Sequence, residues 1–571
     1  MTFNVSMEEI EATVQALTAE GQVYYVTDVD LEGETYPCFQ YMPPSLRELF
    51  GLALANNATK DFLVYNDERY TVQEGYKKMC ALAKGFQEKY NIQKGDKVAI
   101  AMRNYPEWLW AFMTIVSVGG VAVPLNAWWT SEELEYALEN SEAKIVFCDN
   151  SRAKRMQGLI DKLGLKLIGA RKIDPDHKID CHIDDLYDET AGGTPPSVPI
   201  GLEDNATLLY TSGSTDYPKG VLSTHRNVLS TIFNWGVMAT AIRLIREKKG
   251  QELPYDPASM LTTPLFHVTA CHSMFLLSFV AGRKVVMIDK WEPEVVLGLI
   301  EKERVTNFTG VPTMSMDLMM HPDFDKYDLS SLEDVSAGGA ARPIDQVRLI
   351  NEKFGEAVPT IGYGLTETNA MGALNSRDEY LKRPASIGKP TKPLCDIKIL
   401  NDSGVEVARG EVGEICVRST AVFKEYWKNP EATKAAFFPG KWFRTGDLGY
   451  MDQDDYVFIV DRIKDIIIRG GENIACTEVE AAIDALGSVH EVCVFAVPDE
   501  RLGEVVGAAI YLIKGTEISA DDLRLQLASH LASFKIPEYI WFHDKPLPRI
   551  ATGKLDRRGL RDHYKAAVGE K

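Results

Sequence analysis

Short apolar runs alternate with longer amphipathic stretches along most of this 571-residue chain, and that alternation constrains its fold more than any other feature. Lys97–Met102 (KVAIAM), Lys144–Cys148 (KIVFC) and Lys284–Ile288 (KVVMI) are too short for helices and too continuously apolar for half-exposed strands, so they read as buried strands. Segments between such runs, for example Ser131–Asn140 (SEELEYALEN), carry a helical period. The pattern predicts α/β layers, in which ligands gather on loops at the carboxyl ends of strands. The length exceeds one ordinary domain. Ala191–Gly201 (AGGTPPSVPIG) reads as a loop ahead of a functional segment. After the charge- and glycine-dense stretch 440–475 the chain reads as a small α+β unit, with strands at 491–497, 506–513 and 539–542 and a helix near 520–533. The expected division is a large N-terminal domain of layered sheets and helices over 1–463 and a small C-terminal domain over 464–571.

The formal net charge of −20 argues against nucleic acid and against an anionic membrane surface as general partners, since both call for a cationic face. The N-terminus (MTFNVSMEEIEATV) is acidic early and lacks the basic-then-apolar order of a secretory signal. Apolar runs such as 274–282 fall short of the roughly 18 residues a spanning helix needs, so no integral membrane association and a cytoplasmic location are expected. Nine cysteines without a CxxC pair make a disulfide framework or structural zinc site improbable. His267 and Cys271 are four apart, but no third ligand is near, and ordinary pocket lining is the favoured reading.

Several segments concentrate glycine, hydroxyl and charged residues. In Tyr210–Val221 (YTSGSTDYPKGV), the hydroxyls of Thr211, Ser212, Ser214 and Thr215 surround Gly213, and Lys219 follows. Such a loop closes donors around phosphate oxygens, and the lysine adds positive charge. It is not a Walker loop, and on composition alone a polar surface turn is the stronger reading. Ser336–Ala341 (SAGGAA) is a run of small residues, Gly338, Gly339 and Ala340 among them, which read alone is a tight strand-to-helix turn. Gly362–Thr368 (GYGLTET) joins an aromatic residue to a carboxylate, Glu367, which read alone is a carboxylate at a helix start. Trp442–Tyr450 (WFRTGDLGY) carries Asp447 directly after Gly446, which read alone is a surface turn. Asp452–Asp455 lacks the glycine and glutamate of a calcium loop. Lys554, within Leu547–Arg558 (LPRIATGKLDRR), follows a glycine and has arginines nearby, which alone would describe a basic surface tail.

Together and in this order, over about residues 45–565, these segments resemble the motifs of the adenylate-forming superfamily: acyl-CoA synthetases, firefly-type luciferases and peptide-synthetase adenylation domains. The first segment follows the pattern [ST]SG[ST]TGxPKG with one departure, Asp216 in place of glycine. The resemblance implies that Thr211, Ser212, Gly213, Ser214, Thr215 and Lys219 hold phosphates; that Gly338, Gly339, Ala340, Gly362, Tyr363 and Gly364 hold adenine; and that Thr366 and Glu367 meet phosphates and magnesium. It further implies that Asp447 and Arg462 grip the ribose, that Lys464 is a hinge, that Gly470 and Gly471 form the loop used in thioester formation, and that Lys554 is the adenylation lysine. A mobile cation there bridges carboxylate and phosphate oxygens as charge accumulates at the α-phosphorus. In Pro264–Val268 (PLFHV), His267 resembles the aromatic gate of the acyl pocket, and no carboxylate follows before Asp289 to meet a substrate ammonium. The implied substrates are ATP with Mg²⁺, a small carboxylic acid of apolar character, and coenzyme A. The implied reaction is formation of an acyl-adenylate and then of a thioester. A carrier-protein adenylase and a non-catalytic acyl or nucleotide binder are the alternatives.

Overall fold

Lys97–Ala101, Ile145–Cys148 and Lys284–Met287 form the expected strands in the protein, studied here as a computed structural model that describes residues 5–569 apart from 212–217, 252–253, 341, 356 and 551–552. Lys97–Ala101 lies parallel between Val121–Pro124 and Ile145–Cys148. Both of its faces are covered, which is why its sequence is continuously apolar instead of alternating. The sheet has eight strands, continuing from Val121–Pro124 through Asn205–Thr211 and Lys219–Thr224 to the short Glu425–Tyr426. Ala99, Val123, Val146 and Leu208 meet Leu134, Ala137 and Leu138 of the helix Ser131–Ser141 in its core. That helix starts at a capping box between Thr130 and Glu133.

A second sheet runs parallel through Lys284–Met287, Ala258–Leu261, Asn307–Gly310, Asp334–Gly338 and Val358–Gly364. It then reverses, with Gly372–Ser376 antiparallel to Val358–Gly364. Asn104 ties the two sheets together: its amide donates to the Thr263 and Ile288 carbonyls at 3.0 and 3.2 Å and its oxygen accepts from Leu265 N at 2.9 Å. The helix His225–Lys248 is long and apolar enough by composition to cross a membrane, which run lengths alone did not single out, yet more than half of that window is buried against the rest of the protein. Residues ahead of the first sheet form the helix Met7–Leu17 and the hairpin Val26–Leu31/Glu34–Phe39. Tyr24 beside them packs on Phe233 and reaches the Thr240 hydroxyl at 3.2 Å.

Two compact units result: Met1–Ile397 with Val417–Phe443, and Lys398–Cys416 with Arg444–Lys571. This grouping differs from a cut at Lys464, for a local reason. Trp442–Met451 pairs with Val457–Arg462, and the segment before it bonds to that hairpin through Gly410 N to Met451 O at 2.9 Å and the Thr445 hydroxyl to Ile415 O at 2.7 Å. A hinge, by contrast, is a matter of motion.

The second unit also holds a five-stranded sheet in which Val489–Asp499 pairs with Gly503–Leu512 and Tyr539–His543 joins in parallel. Ile467, Val479, Ile483, Val494, Val506, Leu523 and Leu527 form one of its cores. The helix expected over 520–533 is shorter, Ala520–Leu527. The chain turns at Ser529–His530, and Arg524 is drawn to the carbonyls of Pro537 and Glu538 at 3.0 and 2.7 Å.

Candidate active site

In the first unit the predicted residues lie at strand ends. Thr211 closes Asn205–Thr211 and faces Lys219 across the antiparallel pair. Ser212, Gly213, Ser214, Thr215 and Asp216, between them, lie outside the described residues. Gly338 and Gly362 are partners at the ends of adjacent parallel strands, and Gly339 and Ala340 follow. Gly339 has φ +75°, a left-handed turn that favours glycine. Open space faces Gly362 among the described residues, where an added Cβ would meet nothing within 4 Å. A Cβ on Gly364 would come within 2.6 Å of the Ala370 backbone. The first glycine thus leaves a bare strip of backbone, while the second permits the sharp turn that follows. Tyr363 sits between them, opposite Ala373.

Thr366 and Glu367 ride on that turn, the one-turn helix Thr366–Thr368. The Leu365 amide donates to the Thr368 hydroxyl at 3.0 Å, and Asn369 closes the turn in the left-handed region at φ +51°. The Asn369 amide donates to the Ser223 hydroxyl at 3.0 Å and the Ala421 carbonyl at 2.8 Å. Three sequence-distant segments are therefore stapled together. The Tyr426 hydroxyl donates to Glu367 Oε1 at 2.8 Å, and Lys219 Nζ stands 4.9 Å from the centroid of the same ring. Burial first, and the Glu367 charge second, push the Tyr426 phenol up. Lys219, at one end of the phosphate segment, and the Glu367 carboxylate thus converge on one tyrosine. Sequence reasoning missed both Tyr426 and Asn369; the one usable signal was that a buried tyrosine hydroxyl needs a partner.

His267 opens the turn into the π-helix Thr269–Leu276, with its ring 4.9 Å from that of Phe266. Such helices occur frequently at functional sites. Phe266 in turn meets the exposed Trp128 at 5.7 Å. Among the described residues no group of His, Cys, Asp and Glu is arranged to hold a metal by itself. Asp289 is engaged by the Tyr65 hydroxyl at 3.2 Å and by Arg103 at 3.8 Å.

In the second unit, Asp447 and Arg462 are register partners on the hairpin, with Arg462 Nε 3.1 Å from Asp447 Oδ1. Asp447 is buried, and Gly446 before it turns at φ +75° with its amide donating to Glu414 at 3.0 Å. Lys554 joins this pair electrostatically. Burial, and then the Arg462 cation, lower its ammonium to about 8, with Asp447 opposing. Lys464, in the short helix Ile463–Asp465, is lowered by the same two causes. Lys554 and Lys464 are thus both opposed by the Arg462 cation and both favoured by the one Asp447 carboxylate, an arrangement suited to an anionic ligand. Gly470 and Gly471 form the two-residue turn of a separate hairpin, at φ +59° and +92°, which glycine adopts without strain.

Residues 52–427 match the AMP-binding enzyme family and residues 478–554 the AMP-binding enzyme C-terminal domain, whose match ends on Lys554. The chain is 34% identical over 481 residues to the long-chain-fatty-acid–CoA ligase FadD13 of Mycobacterium tuberculosis (strain H37Rv), covering 84% of this chain and 90% of that one. It is 33% identical to a feruloyl-CoA synthase of an Amycolatopsis species, covering 86% and 94%. Among solved structures, ATP-bound MatB from Rhodopseudomonas palustris superposes with a TM-score of 0.78 at 29% identity, over 91% of this chain and 99% of that one. The chain therefore belongs to the AMP-binding enzyme family, on the acyl-CoA synthetase branch of the adenylate-forming superfamily, and is an AMP-forming acid–thiol ligase that uses ATP and coenzyme A.

Proposed function

We propose that this ligase takes an apolar monocarboxylic acid, with Lys554, Glu367, Asp447 and Arg462 as its working residues. The observation that carries the assignment is the grouping of Lys554 with the Asp447–Arg462 pair: a desolvated cation beside a carboxylate suited to a diol. Asp447 and Arg462 hold the ribose hydroxyls. Lys554 neutralises the carboxylate and α-phosphate oxygens as they approach. Thr211–Thr215 and Lys219 hold the remaining phosphates, and Gly338–Ala340 with Gly362–Gly364 present a backbone surface to the base.

The donor set also fits Mg²⁺. A single oriented carboxylate, Glu367, is what that ion takes when phosphates and water complete its shell. When bound, the ion neutralises phosphate charge. The chain's own part is to hold Glu367 through Tyr426 and the backbone hydrogen bond from Phe423 N to Glu367 O at 2.7 Å.

Acyl specificity rests on Phe266, His267 and Met274, with Asp289 already engaged elsewhere, so a substrate ammonium would be left without a partner at high cost. One relative is named a long-chain-fatty-acid–CoA ligase and another a feruloyl-CoA synthase, which supports an acid of such a class here. Rotation about Lys464 would withdraw Lys554 and bring up Gly470–Gly471 for thiol attack, and the cytoplasm is the compartment this reading assumes.

The test is product analysis with Mg·ATP and octanoate, palmitate, benzoate, ferulate or glycine, with and without coenzyme A. AMP and pyrophosphate that rise with an apolar acid and turn over only with coenzyme A support the reading. Turnover with glycine alone, or with none of the apolar acids, would overturn it.

A further inference from the structure

Lys554 sits at the end of a narrow loop whose shape is set by another residue pair. Ile550 N donates to Lys554 O at 2.9 Å, Gly553 N to Ile550 O at 2.9 Å, and Asp556 N to Pro548 O at 2.8 Å, with Arg549 and Leu555 bridged. Gly553 turns at φ +82°. Such a short two-stranded loop, outside any sheet, is marginal by itself.

Two side chains brace it. Arg549 donates from Nη1 to the carbonyl of Gly553, the residue directly before Lys554, at 2.8 Å. Its other terminal nitrogen, Nη2, meets Glu491 Oε1 at 2.6 Å. Glu491 belongs to the strand Val489–Asp499 in the core sheet, and its second oxygen accepts from Leu547 N at 2.7 Å, where the loop begins. One carboxylate, whose side chain is 9% exposed, thus fixes the start of the loop directly and Gly553, next to Lys554, through the guanidinium. The planar fork of arginine spans the two acceptors, which a lysine's point charge does not reproduce.

We propose that Glu491 and Arg549 are positioning residues for Lys554, holding its loop in the geometry the adenylation step needs. This rests on Lys554 being the adenylation lysine. Among the described residues of this unit, the side-chain hydrogen bonds of Glu491 and Arg549 go to each other, to Leu547 and to Gly553, not to Asp447, Arg462 or the Lys554 side chain, so removal of the pair is expected to act through placement. Misplacement of a catalytic group by about 1 Å costs on the order of a hundred-fold in rate.

The experiment compares Arg549→Met, Arg549→Lys, Glu491→Gln and the double variant Glu491→Gln/Arg549→Met with the wild type. Three readouts are taken. The first is acid-dependent ATP–pyrophosphate exchange, using whichever of octanoate, palmitate, benzoate or ferulate drives the wild type fastest. The second is thioester formation from supplied acyl-AMP and coenzyme A, and the third is hydrogen exchange at the Ile550 and Gly553 amides. Arg549→Met is expected to lower the maximal exchange rate about ten- to a hundred-fold with KM for ATP held, to leave the second half-reaction within about two-fold, and to speed amide exchange at Ile550 and Gly553. Arg549→Lys recovers part of the loss. The double variant falls no further than the worse single one, as expected of residues acting as one unit. Unchanged amide protection, unchanged pyrophosphate exchange, or an equal fall in both half-reactions would overturn the proposal. Lys554→Ala, run alongside, separates the two ideas: if it retains full exchange, the lysine's role fails, whatever the Arg549 variants do.

Discussion

The Tyr426 hydroxyl donates to Glu367 Oε1 at 2.8 Å, joining residues 59 apart in sequence at a place where both are nearly excluded from water. Because burial and the adjacent carboxylate push the phenol up, it remains a donor to Glu367 across the working pH range.

Tyr426→Phe should therefore cost about 1–3 kcal/mol of stability, the usual result of stripping a buried acceptor of its donor. It should also raise the magnesium concentration needed for half-maximal pyrophosphate exchange, while thioester formation from supplied acyl-AMP changes little. Thermal unfolding together with a magnesium titration of both half-reactions checks this; equal magnesium dependence in wild type and variant would refute the role given to Glu367.

Adenylation should fall as pH rises through about 8, where Lys554 loses its proton. Lys554→Arg should remove that limb from the pH–rate profile. The same shift has a stability consequence of definite sign. The folded-state value lies below the ordinary 10.5, so between about 8 and 10.5 the unfolded chain binds more protons and folding gains stability as pH rises. Lys554→Met should be more stable than wild type at pH 7, with the gap closing over that window, as followed by denaturant unfolding at several pH values.

Arg462 and Asp447 act on Lys554 in opposite directions. Arg462→Ala should move the falling limb to higher pH and Asp447→Asn to lower pH, while both raise KM for ATP. Limbs that move together would show that the two charges do not act on this lysine.

Gly362 and Gly364 should separate binding from folding. Alanine at 362 meets open space, so stability should hold while KM for ATP rises. Alanine at 364 drives a methyl into the Ala370 backbone and should cost about 1–3 kcal/mol. Melting curves and ATP kinetics on the two variants distinguish these outcomes.

Lys464→Pro should impair one half-reaction and spare the other. Proline disfavours helical geometry at Ile463, which precedes it in the short helix Ile463–Asp465, so one arrangement of the chain is selected. Two normal half-reactions would refute the hinge.

What could be read from the sequence was local. Continuous apolar runs marked the strands at 97–101 and 145–148, and the helical period of 131–140 marked the helix that forms there. The paired glycines at 470–471 occupy a two-residue hairpin turn, as their chemistry allows. What escaped was long-range. Nothing near Glu367 points to Tyr426, and nothing in LPRIATGK points to Glu491, because those partnerships exist only once the sheets have formed. The assignment of 398–416 to the second unit escaped for the same reason: it follows from bonds to the 442–462 hairpin.

Asn369 has a bearing on how such a protein is recombined. Its side-chain amide fastens the turn bearing Glu367 to Ser223, four residues past Lys219, and to Ala421, five residues ahead of Tyr426. Segments 219–224, 366–369 and 419–426 therefore form one inherited cassette despite their distance along the chain. Chimeras that draw the three from different parents should lose activity even where every residue remains acceptable in its own parent, whereas chimeras that exchange them as a set should retain it.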